Sequence, residues 1–208
     1  MLAVENLECI RGDRVLFSNV GFSLQRGELL HVRGSNGSGK TSLLRILCGL
    51  MSPAQGHVRW NGMPITELGD EYYRSVLYIG HLSGLKDEFS AVENLRVSTD
   101  LAGARPDLAQ IQAALKRMGL ADYDDLPAKV LSQGQRRRIA LARLFLSDAQ
   151  LWILDEPLAA LDAAAVTLIE EAILAHLGRG GLAVVTTHQP LAVQCELRAL
   201  HLGIGIAA

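Results

Sequence analysis

Cysteine is scarce in this sequence, and its placement excludes several kinds of site. The 208 residues contain three cysteines, Cys9, Cys48 and Cys195, which lie far apart. No C-x-x-C pair is present, and no C-x-x-C-H haem-attachment motif. We expect three small buried thiols in a reducing compartment.

Long apolar runs are also missing. No stretch approaches the roughly 18 residues that a membrane-spanning helix needs. Residues 1–7 contain Glu5 and lack the basic-then-apolar layout of a secretory signal. We therefore expect a cytoplasmic chain that reaches a membrane only through a partner.

Neither sign of charge dominates the composition. The chain has 20 basic and 22 acidic side chains, for a net charge of -2 at pH 7. Such a balance provides no basic footprint for a nucleic acid backbone. We expect no nucleic acid partner.

What the sequence does contain is an alternation of apolar strands and helices. Strands are predicted at 2–7, 15–17, 20–24, 29–32, 58–62, 151–154 and 182–186. Helices are predicted after residue 41 up to Ser52-Pro53, and at 107–119, 136–146 and 163–177. This order favours a parallel sheet covered by helices. We interpret 1–208 as a single α/β domain with a core at 1–80 and 150–208 and a helical insertion at 81–149.

A glycine-rich loop follows the strand at 29–32. Its sequence fits G-x-x-x-x-G-K-[ST] at every fixed position and lies between a strand and a helix, as that motif requires. Glycines let backbone N–H groups turn toward a polyphosphate, and the helix N-terminus adds partial positive charge. Lys40 is expected to reach the β- and γ-phosphates, and Thr41 to offer its hydroxyl to Mg²⁺. The predicted phosphate-binding residues are Gly34, Ser35, Asn36, Gly37, Ser38, Gly39, Lys40, Thr41 and Ser42.

Two carboxylates end the apolar strand at 151–154. In a parallel sheet the carboxyl ends of the strands open onto the ligand crevice. Asp155 is therefore predicted to hold Mg²⁺ and Glu156 to orient and deprotonate an attacking water.

A second candidate anion site precedes the helix at 136–146. Ser132 fits an N-cap residue, and with Gly134 and Gln135 nearby the helix end could bind phosphate. A purely structural cap is the alternative interpretation.

Taken together, these motifs resemble an ATP-binding cassette over essentially the whole chain. The signature is Leu131 to Gln135, the D-loop is Ala160-Leu161-Asp162, and His188 stands at the switch position. The resemblance implies an ABC-type P-loop ATPase with an N-terminal antiparallel β subdomain and an inserted α-helical subdomain. It implies ATP and Mg²⁺ as ligands and a homodimer in which Ser132 and Gly134 act on the partner's nucleotide. It also implies that His188 contacts the γ-phosphate.

At a finer level, four stretches of the sequence resemble the ATP-binding subunit of the cytochrome c maturation system, the haem exporter. This resemblance rests on the stretches 34–37, 78–81, 151–157 and 186–190. It implies an integral membrane permease partner, a peripheral position on the cytoplasmic face of the bacterial inner membrane, and only indirect handling of haem. A nucleotide-gated assembly module without transport, or a subunit of another small exporter, are the alternatives. A soluble cassette of DNA repair or translation is disfavoured, because the chain has no coiled-coil insert or basic arm.

Two positions depart from the general cassette pattern. His81 stands where the Q-loop glutamine is usual, and Arg11 stands where an aromatic usually stacks on adenine. A neutral imidazole is a poor ligand for Mg²⁺, so His81 is expected to touch the metal's water or the γ-phosphate, or to signal to the membrane partner. The loop 82–89 follows His81 and is predicted to dock that partner, with a solvated loop as the alternative.

Overall fold

A computed structural model describes residues 1–193 and 197–203. Within these residues the chain forms two sheets, one antiparallel and one parallel. Cys9 and Cys48 are buried free thiols, as expected, and Cys195 lies outside the described residues.

The antiparallel sheet is built from the first part of the chain, in the order β2-β1-β4-β5. Its strands are β1 (Leu2–Arg11), β2 (Arg14–Leu24), β4 (Gln55–Trp60) and β5 (Met63–Pro64). The prediction of separate strands at 15–17 and 20–24 was wrong, because both belong to β2. The register between β1 and β2 shifts repeatedly, and Asn6 and Asn19 have positive φ. The break in the alternation therefore marks β-bulges and not a loop.

The parallel sheet has five strands in the order β6-β7-β8-β3-β9. They are β3 (Leu29–Gly34), β6 (Val76–Ile79), β7 (Leu151–Asp155), β8 (Leu182–Thr186) and β9 (Leu197–Leu202). All four neighbouring pairs run parallel. The carboxyl ends of β3, β7 and β8 therefore meet at one edge, where an open α/β sheet binds its ligands.

Both faces of the parallel sheet are covered. In β7, Leu151 and Ile153 pack into a core shared with the antiparallel sheet and the first helix. Trp152 and Leu154 point the other way, into a core shared with the helices of the middle of the chain. Burial on both sides explains why β7 and β8 are apolar at successive positions.

Seven α-helices complete the described fold. They are α1 (Lys40–Leu47), α2 (Ile65–Leu68), α3 (Asp70–Ser75), α4 (Ala91–Leu101), α5 (Leu108–Arg117), α6 (Gln133–Ala142) and α7 (Ala163–Gly178). No helix among the described residues is long and apolar enough to cross a membrane.

Two helix boundaries differ from the prediction. The helix after the glycine-rich loop ends at Leu47 and not at Ser52-Pro53, because Gly49 turns the chain with φ 72°. The helix predicted at 136–146 begins at Gln133, since Ser132 caps it, and Arg143–Phe145 form a 3₁₀ turn. The insertion boundaries at 81–149 stay a prediction.

Candidate nucleotide site

The glycine-rich loop joins β3 to α1 at the carboxyl edge of the parallel sheet. Gly34 and Gly39 have φ of 151° and 98°, which side chains with a Cβ rarely adopt. A Cβ on Gly34 would lie 2.5 Å from both the Leu202 carbonyl oxygen and Ser38 Oγ. The tight packing therefore requires glycine at residue 34.

Lys40 closes this loop from within. Its Nζ donates to the carbonyl oxygens of Gly34 at 2.8 Å and Ser35 at 3.1 Å. Ser38 Oγ is buried and has no hydrogen-bond partner among residues 1–193 and 197–203. An ammonium group and an unpartnered hydroxyl at a helix N-terminus suit a phosphate group. Of the other predicted residues, Ser35, Asn36 and Gly37 are exposed at the loop tip, and Ser42 is buried in α1.

Asp155 lies directly beside the loop. Its Oδ2 accepts from Thr41 Oγ1 at 2.8 Å, and its Oδ1 accepts from Thr186 Oγ1 at 2.6 Å. The carboxylate is almost fully buried. Hydroxyl and carboxylate oxygens 2.8 Å apart fit Mg²⁺, a hard ion that takes one or two carboxylates plus substrate phosphates. Among the described residues no group of three His, Cys, Asp or Glu could hold a metal by itself.

Glu156 follows in a backbone conformation that is unusual for a residue with a side chain. Its φ is 49°, and its N–H donates to both the carbonyl and the hydroxyl oxygen of Thr186. The backbone N–H of His188 donates to Glu156 Oε2 at 3.2 Å, and His188 Nε2 lies 3.5 Å from Oε1. The structure therefore brings together the two residues that were predicted to act at the γ-phosphate. A strained conformation that is held from both sides is typical of functional sites.

A cavity of about 430 Å³ opens between the loop and the segment after β8, with Gly34, Lys40 and His188 in its wall. Its floor contains His31, which sequence reasoning missed. His31 Nδ1 accepts from Arg33 Nε at 3.1 Å, so Nε2 carries the proton and donates to the Thr187 carbonyl at 3.1 Å. Burial lowers the pKa of His31. The imidazole is thus a neutral link between the strand that carries the loop and the strand that carries the switch histidine.

The capped end of α6 is a separate element. Ser132 Oγ accepts from Gln135 N, and Gln135 Oε1 accepts from Ser132 N, which forms a capping box. A Cβ on Gly134 would lie 3.3 Å from the Ala160 carbonyl oxygen. Within the part of the chain that the structure describes, no hydrogen bond or ion pair joins this end to the glycine-rich loop.

Asp162, of the predicted D-loop, caps α7 and pairs with α6. Its Oδ1 accepts from Ala165 N at 2.9 Å, and its Oδ2 lies 2.6 Å from Arg138. The hydrogen bond from Ala165, together with Arg138, lowers the pKa of this carboxyl.

The two residues that differ from the general cassette pattern lie at the surface. Arg11 is exposed at the end of β1, and His81 is exposed after β6. The loop 82–89 is held by Asn94, whose side chain bonds the backbone of Lys86 and Phe89. Their predicted roles stay predictions.

Thr186 is a further residue that the sequence did not reveal. It pairs with Asp155 across β7 and β8, and its hydroxyl serves both Asp155 and Glu156. The sequence feature that could have indicated Thr186 is a polar residue at the end of an otherwise apolar buried strand.

The glycine-rich loop after β3, with Asp155 and Glu156 at the end of β7 two strands away in the same parallel sheet, defines an ATPase of the P-loop class. The family model described as ABC transporter matches residues 17–159. The chain is 56% identical over 191 residues to the cytochrome c biogenesis ATP-binding export protein CcmA of Nitrosomonas europaea, covering 92% of this chain and 90% of that one. It is 50% identical over 201 residues to CcmA of Methylococcus capsulatus, covering 97% of each. The chain belongs to the ABC transporter family and, within it, to the cytochrome c biogenesis ATP-binding export proteins.

Solved structures show the same fold. MJ0796, a bacterial ABC transporter cassette, is similar with a TM-score of 0.82 at 24% identity, over 98% of this chain and 95% of that one. An ABC transporter ATP-binding protein from Pyrococcus furiosus is similar with a TM-score of 0.82 at 24% identity, over 97% and 96% of the two chains. The predicted α/β cassette fold is confirmed, and the chain is an ATP-binding subunit that hydrolyses ATP.

Proposed function

We propose that this chain hydrolyses ATP between two copies of itself and thereby powers an integral membrane permease in c-type cytochrome maturation. The observation that carries the proposal is the convergence of Lys40, Thr41, Asp155, Glu156 and His188 at one edge of the parallel sheet. The assignment to c-type cytochrome maturation rests on relatives whose names place them in cytochrome c biogenesis and export.

Each residue has a distinct part in the proposed chemistry. Lys40 leaves the carbonyls of Gly34 and Ser35 to pair with the β- and γ-phosphates. Glu156 accepts a proton from the attacking water, and His188, which contacts Glu156, donates to the γ-phosphate. Mg²⁺, held by Thr41 and Asp155, would neutralise charge on the phosphates. Phosphoryl transfer needs positioning and charge neutralisation more than covalent chemistry, and these side chains supply both.

The homodimer supplies what one chain lacks. The capped end of α6 presents Ser132 and Gly134 at a helix N-terminus, which favours an anion, but among the described residues it makes no hydrogen bond or ion pair to its own glycine-rich loop. We propose that this end closes on the nucleotide bound by the loop of the second copy. Two composite sites would then form in each dimer.

Mixed dimers test this arrangement. Copies carrying Lys40→Ala and copies carrying Ser132→Trp are each expected to be inactive, because every composite site lacks one half. An equimolar mixture should regain turnover, up to about a quarter of the wild-type value, since half of the dimers are mixed and each has one intact site. Mixtures that stay inactive, or single variants that keep wild-type turnover, would argue against sites shared between copies.

The loop 82–89 is the proposed docking surface for the permease, on the cytoplasmic face of the inner membrane. Leu82 is 82% exposed and Phe89 38%, although the loop itself is fixed by Asn94 and by an ion pair of 2.6 Å between Asp87 and Arg136. Apolar side chains exposed on a fixed loop suit a protein partner. We propose that haem is handled by that partner and contacts this chain only indirectly.

ATP-driven transport and ATP-driven assembly can be separated directly. Sealed vesicles that contain the complex should accumulate haem in an ATP-dependent manner if transport is the function. Release of a haem carrier without haem flux would instead indicate the assembly module.

A further inference from the structure

A buried arginine lies behind the catalytic carboxylates. Arg137, in the second turn of α6, is 5% exposed. Its NH2 donates to the carbonyl oxygens of Asp155 at 2.9 Å and Glu156 at 2.8 Å, and its NH1 donates to the carbonyl of Gly80 at 2.7 Å. One guanidinium therefore joins α6 to the ends of two separate strands.

Stability alone does not account for a charge at this place. Burial lowers the pKa of Arg137, against the opposing effect of Asp155 and Glu156. Its Nε is buried and has no hydrogen-bond partner in the part of the chain that the structure describes. Desolvating a guanidinium is unfavourable, and well-packed apolar residues often stabilise such positions at least as well. The planar fork of arginine does, however, fix the relative positions of three carbonyls.

The three carbonyls belong to segments with different tasks. Gly80 precedes His81 and the proposed docking loop, and Asp155 and Glu156 are the proposed metal and base residues. The Glu156 backbone, with its φ of 49°, is held by Thr186 on its N–H and by Arg137 on its carbonyl. The N-terminal end of α6, about one turn before Arg137, is the proposed cap for the second copy's nucleotide. Arg137 thus hydrogen-bonds to the segments with the first two tasks and belongs to the helix that carries the third.

We propose that Arg137 is a positioning residue that couples the capped end of α6 to Glu156. Closure of the Ser132 end over one nucleotide shifts α6, and Arg137 transmits that shift to Glu156, the carboxylate that accepts the proton of the water attacking the other nucleotide. The two sites of a dimer then hydrolyse cooperatively. This inference rests on the proposed function, because it needs a dimer with composite sites.

The test compares Arg137→Gln and Arg137→Lys with Arg143→Gln in the full chain. Arg143 is a matched control, since it follows α6 and donates to the Tyr78 carbonyl at 3.4 Å without touching Asp155 or Glu156. Arg137→Gln should lower kcat at least tenfold, which corresponds to about 1.4 kcal/mol. The Kd of ATP should stay within about twofold, because Arg137 does not line the phosphate loop, and the Hill coefficient for ATP should fall toward one. Arg137→Lys keeps the positive charge but not the planar guanidinium, so its kcat and Hill coefficient should lie between those of the wild type and Arg137→Gln.

A double variant separates positioning from packing. If Arg137 acts through Glu156, adding Arg137→Gln to Glu156→Gln should change the residual turnover by less than about twofold. The inference is overturned if Arg137→Gln keeps wild-type kcat and Hill coefficient, if Arg143→Gln reproduces its effects, or if the two substitutions multiply. If Arg137→Gln does not fold, Arg137→Lys decides by the same criteria. If the wild type and Glu156→Gln hydrolysed ATP at the same rate, the proposed function itself would be rejected.

Discussion

His188 and Glu156 contact each other twice, through the backbone and through the side chains. His188 N donates to Glu156 Oε2 at 3.2 Å, and His188 Nε2 lies 3.5 Å from Glu156 Oε1. His188 follows β8 and Glu156 follows β7. The parallel pairing of these two strands therefore sets the distance between Glu156, the proposed base, and His188, the residue at the switch position. The carboxylate of Glu156 is thereby held by the segment that follows β8.

Replacing Glu156 by glutamine should abolish turnover while preserving nucleotide binding. The amide keeps the size of the side chain but cannot accept the proton of the attacking water, which should lower kcat by about 10²- to 10⁴-fold. The variant should accumulate as an ATP-bound dimer, which size-exclusion chromatography with ATP can measure. Glu171→Gln, at an exposed position on α7, is the control and should behave as wild type. Hydrolysis near the parent rate in Glu156→Gln would remove this residue from its proposed role.

Lys40→Ala should weaken nucleotide binding. The ammonium group is the charged donor closest to the loop carbonyls, and charge-assisted hydrogen bonds contribute about 1.5–3 kcal/mol each. The Kd of ATP should therefore rise by about tenfold or more in a fluorescence titration. Lys116→Ala removes an exposed ammonium from the last turn of α5 and should leave the Kd unchanged. Equal Kd values for both variants would count against the assignment of the phosphate loop.

The sequence predicted those parts of the site that local patterns encode. The loop 34–41 and the carboxylates of Asp155 and Glu156 lie in short motifs whose strand and helix context is readable from periodicity. The N-cap at Ser132 was predicted for the same reason, since a cap involves residues three apart.

Contacts between distant segments were not predictable in this way. Arg137 is one of three consecutive arginines, and only the structure shows that it is buried while its guanidinium reaches Gly80, 57 positions earlier. His31 appeared as one polar residue in an apolar strand, and its partner Thr187 is 156 positions away. The bulges of β1 and β2 also escaped prediction, because local propensity does not report the register of a partner strand.

Thr186→Val should damage both stability and catalysis. The substitution keeps the shape but removes the hydroxyl that donates to Asp155 Oδ1 and accepts from Glu156 N. Loss of a buried hydrogen-bond partner costs about 1–3 kcal/mol in the free energy of unfolding, which urea titration can measure. We also expect kcat to fall, since both carboxylates lose a positional constraint.

The control for this variant is Thr167→Val. Thr167 lies on the exposed face of α7, where its hydroxyl donates to the Ala163 carbonyl at 3.1 Å. Its loss should change the free energy of unfolding by about 0.5 kcal/mol or less. If the two valine variants were equally stable and active, the hydroxyl of Thr186 would have no special part in the site.

His176 should make the fold sensitive to mild acid. Its ring stacks on Trp152 with 3.9 Å between centroids, and its Nε2 donates to the Leu182 carbonyl at 3.1 Å. Burial lowers the pKa of His176 below its ordinary value of 6.5, although the Leu182 carbonyl opposes this shift. The unfolded chain therefore binds more protons than the folded chain just below pH 6.5. The stabilisation is complete above that pH and is lost as the pH falls toward the pKa of the folded state.

Measured by urea unfolding between pH 7.5 and 5, the free energy of unfolding should fall by up to about 1.4 kcal/mol per pH unit for each such histidine. His31, whose pKa burial also lowers, adds to the effect. Asp162, with a pKa below 3.8, loses its contribution only at lower pH. In His176→Gln the amide can still donate to the Leu182 carbonyl, but the ring stacked on Trp152 is lost, so the variant should be less stable than the wild type at pH 7.5. Because glutamine does not titrate, the free energy of unfolding should decline less steeply toward pH 5. A decline as steep as that of the wild type would mean that His176 does not cause the acid sensitivity.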